Sequence, residues 1–158
     1  MNYLNKMLLP LFILFSLAAI SHAEPVSATE SNDADRILML EKALAPNSPE
    51  QTALLFAKAN KERNGAVQFM LFSDALKNKF KNSWPSWVSG TSSPWITAFK
   101  IKKTTSTKNS IHFEIIYQWA TASGPFTPPL EQKIIIEPVP KNITSSQKWW
   151  ITKFDDNQ

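Results

Sequence analysis

The sequence predicts an α+β fold, with N-terminal helices packed on one face of a curved, cone-like, four-stranded antiparallel sheet. Three observations carry that expectation. Residues 48–64 place apolar side chains at helical spacing between clear start and stop signals. From Trp95 onward the apolar period falls to two, with turn-forming clusters between the alternating runs. Everything helical precedes everything strand-like, which argues against helical crossovers between parallel strands.

The first helix is expected over residues 33–45, started by Asp33 or Asp35 and stopped by Pro46, with Ile37, Leu38, Met39, Leu40 and Leu44 as its apolar content. The central helix follows. Ser48 supplies an N-cap oxygen and Gln51 is placed to reach back, completing a capping box. Pro49 falls at the first helical position, where its missing N–H is harmless, and Glu50 puts a negative charge at the positive end of the dipole. Thr52, Leu55, Phe56 and Ala59 form the apolar stripe, which Leu54 broadens. Arg63, Asn64 and Gly65 end the helix, with Gly65 as the left-handed stop. Two short helices are expected over 66–72 and 75–81, the latter capped by Ser73-Asp74.

Residues 84–95 combine turn formers with Trp84, Trp87 and Trp95, and read as a packed loop. Trp95, Thr97, Phe99 and Ile101 then alternate against Ile96, Ala98, Lys100 and Lys102. The clearest strand sets Ile111, Phe113, Ile115, Tyr117 and Trp119 against His112, Glu114, Ile116 and Gln118. Residues 123–129, rich in proline, read as a loop. Strands over 130–139 and 148–155 complete a meander.

Helices feeding a meander of long strands resemble the nuclear-transport-factor-2-like (cystatin-like α+β) superfamily. Two segments are more specific: residues 61–69, Lys-Glu-Arg-Asn-Gly-Ala-Val-Gln-Phe, and residues 90–95, Gly-Thr-Ser-Ser-Pro-Trp. Both are similar to segments of a group of bacterial extracytoplasmic modules without an assigned activity. The resemblance spans roughly residues 48–154. It implies a sheet wrapped about a long helix with a conical pocket at one end, and export from the cytoplasm.

Export is also expected from the first 23 residues. Lys6 is followed by an apolar run from 7 to 20, and Ser21-His22-Ala23 matches a signal-peptidase site. That run is shorter than the ~20 residues a membrane span requires, so cleavage after Ala23 and no stable membrane anchor are expected. Residues 24–32 read as a flexible tether and 33–158 as one domain, periplasmic or extracellular. The chain has no cysteine, which excludes disulfides, thiolate metal sites and thiol redox chemistry. Its formal charge of +4 is a mild excess that fits anionic wall polymers without demanding them.

Candidate site residues are few. His112 is the one histidine outside the leader, so neither a metal site nor a cofactor is expected. Lys100, Lys102, Lys103 and Lys108 cluster around the first hairpin, but export makes nucleic acid an improbable partner. Asp74, His112 and Glu114 are the candidate acid–base groups. In enzymes that look like ketosteroid isomerases or polyketide cyclases, the fold carries such a carboxylate inside its cone. Trp84, Trp87, Trp95, Trp149, Trp150 and Arg63 are candidate contacts for a ligand or partner. The leading expectation is a non-catalytic binding or accessory module for a protein, a wall polymer or a small apolar ligand. A small isomerase or cyclase is the alternative. Outward apolar residues Ile96, Ile116 and Ile135 motivate a third reading, a self-associating homodimer.

Overall fold

A computed structural model describes residues 28–82 and 94–157. The expected leader and the loop carrying Trp84 and Trp87 lie outside the described residues. The order is α1 (Ala28–Leu44), α2 (Pro49–Lys61), α3 (Gly65–Met70), α4 (Asp74–Phe80), β1 (Trp95–Ser106), β2 (Ile111–Thr121), β3 (Gly124–Pro138) and β4 (Trp149–Asn157). The four strands form one antiparallel sheet in the order β1-β2-β3-β4 that does not close on itself, with α2–α4 packed against one face.

Helix α2 starts as its sequence dictates. The Ser48 hydroxyl accepts from the Gln51 N–H at 3.1 Å. Gln51 turns back one residue further than a capping box requires, its Oε1 accepting from the Asn47 N–H at 2.8 Å. Thr52, Ala53, Phe56, Ala57 and Ala59 are buried against the sheet, whereas Leu55 is half-buried and Leu54 is exposed. The stripe is therefore narrower and smaller in side-chain volume than the spacing of leucines suggests, and alanines let the helix approach the sheet closely.

The stop differs from expectation. Arg63, not Gly65, takes the left-handed conformation, with φ 54°. The N–H of Asn64 bonds the Ala59 carbonyl at 2.7 Å and that of Arg63 bonds the Asn60 carbonyl at 3.0 Å, closing a Schellman turn. Asn64 then caps α3 through Oδ1 to the Val67 N–H, and Gly65 is the buried first residue of that helix. Helix α1 begins at Ala28, inside the stretch read as a tether, and extends past the expected start at Asp33. Its Ile37, Leu38, Met39 and Leu40 remain exposed, because four consecutive apolar residues point around the helix rather than to one side.

The core lies between α2–α4 and the sheet. Phe56 sits 6.1 Å from Phe72 and 6.0 Å from Phe154, ring centre to ring centre, above Ile115, Tyr117, Ile134 and Ile136. Beyond α3, Leu71 and Ser73 bond the Ile151 backbone, so this short stretch covers the outer edge of β4. Strand β3 is longer than expected and takes in the proline-rich stretch as far back as Gly124, whose φ of 123° turns the β2–β3 hairpin.

Candidate functional site

Two parts of the sheet remain open to a partner: its aromatic end and its outer face. At the aromatic end the start of β1, the end of β2 and the start of β3 meet. Trp95 opposes Ala120, Ile96 opposes Trp119, and Trp119 opposes Phe126. Thr97 has no cross-strand partner, which makes a bulge between Ile96 and Ala98. That extra residue returns Ile96 to the core-facing row with Phe99 and Ile101, so Ile96 is not an outward residue. It also moves Trp95 off that row, against the simple alternation, and leaves it 42% exposed.

Phe126 is 47% exposed. The Trp119 ring stands edge-on to it at 4.8 Å, and its indole N–H donates to the Pro128 carbonyl at 3.0 Å, which fixes the ring's orientation. The Arg63 guanidinium donates to the Pro94 carbonyl, so the turn after α2 is tied to the residue preceding Trp95. Arg63 thus acts on this end through the backbone of β1. Phe126 is absent from the sequence-derived candidates because residues 123–129 read as a loop, and Trp119 because it fell in the apolar alternation of the clearest strand. The signal for Phe126 was a lone phenylalanine between prolines.

The remaining described tryptophans, Trp149 and Trp150, do not stand open. Trp149 is half-buried against the core, and Trp150, on the opposite row, is only 9% exposed. The sequence leaves one of the two adjacent rings exposed, packed under a loop or part of a binding surface; Trp150, the ring off the core-facing row, is buried.

On the outer face, His112 and Glu114 occupy the row of β2 that points away from α2, as alternation predicts. His112 Nε2 lies 2.9 Å from the Ser110 hydroxyl. Both residues are half-buried and line a groove of about 830 Å³ that takes in residues of all four strands, with Lys102, Lys133 and Asp155 among them. Asp74 is not part of it. It is the exposed first residue of α4, so the three acid–base candidates are not brought together.

Among the described residues the inner face offers no buried carboxylate or histidine, and the buried polar side chains are Thr52, Gln68, Ser73, Gln132 and Gln147. Tyr117, fully buried, donates its hydroxyl to Gln132 Oε1 at 2.9 Å. The described residues contain no group of three or more His, Asp or Glu arranged to hold a metal ion, and no helix among them is long and apolar enough to cross a membrane. No family model and no curated protein matches the chain.

Proposed function

We propose that the protein is an exported, non-catalytic binding or accessory module of the nuclear-transport-factor-2-like fold, and that it holds its partner on the aromatic end of the sheet. The observation that carries this reading is the exposure of Trp95 and Phe126. Phe126 lies open beside the oriented Trp119 ring on one side of the sheet, and Trp95 lies open on the other, so this end presents aromatic surface on both sides. This end is flanked by Pro94, Pro125, Pro128 and Pro129, all exposed. It suits the flat, C–H-rich faces of a wall polysaccharide better than an enclosed small ligand.

An enzyme of the isomerase or cyclase type would need a carboxylate held in apolar walls. Glu114 and Asp74 both face outward from the core. That arrangement favours binding over catalysis.

Co-sedimentation with purified bacterial wall polysaccharide tests the reading. The native protein is expected to pellet with the polymer, and Trp95→Ala and Phe126→Ala are each expected to weaken binding about tenfold, the loss typical of a buried aromatic anchor. Binding unaffected by either substitution, or no binding at all, would remove the aromatic end as the site.

A further inference from the structure

The outer face ends at β1, and the two edges of the sheet are finished differently. Along β4 the backbone of residues 71–73 takes up edge groups. The Ser73 N–H donates to the Ile151 carbonyl at 2.9 Å, and the Ile151 N–H donates to the Leu71 carbonyl at 2.8 Å. Among the described residues no strand pairs with the far side of β1. Its alternate N–H and C=O groups there are free to pair with a further strand.

Burial falls off accordingly. On the inner row Tyr117 and Ile115 of β2 are fully buried, whereas Phe99 and Ile101 opposite them on β1 are half-buried. The ladder between β1 and β2 is regular over residues 98–103, between the irregularities at Thr97 and Thr104. Within that stretch Ala98, Lys100 and Lys102 are exposed on the outer row, and Phe99 and Ile101 lie on the core side. The strand carries Lys100, Lys102 and Lys103 and no acidic residue. Lys103 is tied to Glu50, but the ion pairs among the described residues include neither Lys100 nor Lys102.

We propose that β1 takes up an extended segment of a partner protein as a fifth strand, and that this segment alternates acidic with apolar residues. The alternation follows from the pleat. Side chains laid beside Phe99 and Ile101 extend the inner row and complete its cover, so apolar groups fit there. Those laid beside Lys100 and Lys102 fall on the outer row, where a carboxylate comes within cross-strand reach of each ammonium. For Lys102 this continues a row that already alternates in sign through Glu114, Lys133 and Asp155. Main-chain pairing supplies the affinity and the lysines supply the choice of partner. Lysines on an edge keep like strands apart, so a second copy of β1 is a poor occupant. The stretch lies past Trp95 along β1, and the proposal stands or falls independently of the polysaccharide reading.

Fluorescence anisotropy on the full chain, with a labelled synthetic peptide of alternating glutamate and valine, tests the proposal. The native protein is expected to bind the peptide saturably, with affinity falling as salt is added. The double variant Lys100→Glu, Lys102→Glu is expected to lose about tenfold or more in affinity, and to bind a peptide of alternating lysine and valine instead. Circular dichroism establishes that the variant is folded. Hydrogen exchange separates strand addition from plain charge attraction: in the native chain, the amides of residues 98–103 are expected to exchange more slowly once the glutamate peptide is bound. A native protein that does not bind this peptide, a folded double variant that keeps it or refuses the lysine peptide, or exchange that the peptide does not slow would each overturn the proposal. So would protection already present without peptide and rising with protein concentration, because a second copy would then occupy the edge.

Discussion

Strand β2 shows two environments within one run of backbone. Its odd-numbered residues Ile111, Phe113, Ile115 and Tyr117 are buried, and its even-numbered residues His112, Glu114 and Ile116 are half-buried, with Gln118 exposed. Backbone pairing is the same for both sets, since each residue hydrogen-bonds within the ladder whichever way its side chain points. What separates them is cover. The inner row meets α2, where alanines allow close approach and Phe56 fills the centre. The outer row lies outside the buried core, and its residues are half-buried or exposed. Stability therefore resides on the covered face.

The largest expected effect is on the covered side. Phe56 is fully buried, and its ring contacts Phe72 and Phe154. Phe56→Ala is expected to lose about 3–5 kcal/mol in chemical denaturation, the transfer of the ring plus the cavity left behind. Ile116→Ala on the outer row, measured in high salt, is expected to lose less than about 1 kcal/mol. Equal losses would show that both faces are packed, and the comparison would collapse.

A smaller effect sharpens the account of the interior. Tyr117→Phe removes only a hydroxyl, yet it leaves Gln132 Oε1 in a site just 3% exposed. The expected cost is about 1–3 kcal/mol, the desolvation of an acceptor without its donor. A neutral outcome would mean that water reaches Gln132 and that the inner face is less dry than the packing indicates.

Much of the covered side was legible in the sequence because it depends on period and caps. The alternation of β2 and the Ser48 and Ser73 caps are read directly from residue spacing, and the side chains then have one place to go. The aromatic end was not legible, for two physical reasons. Prolines usually stop strands, but Pro125, Pro128 and Pro129 fall where β3 extends past the end of its β4 pairing, an edge on which a missing N–H costs nothing. Bulges at Thr97 and Thr152 also shift which side chains share a face, and a bulge shows only once two strands are paired. The left-handed Arg63 was hidden for a similar reason: Gly65 was the cheaper residue for that conformation, but the turn closes two positions earlier.

The smallest expected effect concerns a residue that belongs to the inner row yet remains wet. Lys103 opposes Phe113, at the end of β1, and reaches the first turn of α2, where its ammonium lies 2.5 Å from a Glu50 carboxylate oxygen. The hydrogen bond from Lys103 holds the Glu50 carboxyl below its ordinary value, helped by the backbone N–H of Glu50 itself. A carboxyl lowered in the folded state favours folding above its unfolded pKa, and that contribution fades as the pH falls through the folded value. Both side chains are about half exposed, so solvent screening limits the gain. Lys103→Gln is accordingly expected to cost no more than about 0.5 kcal/mol at pH 7, with the difference from the native protein shrinking toward zero in acid and at high salt. Thermal melts across pH read this directly. A cost that persisted undiminished below the carboxylate range would mean that Lys103 contributes by covering Phe113 with its methylene stem, and the boundary of the dry face would have to be drawn one residue further along β1.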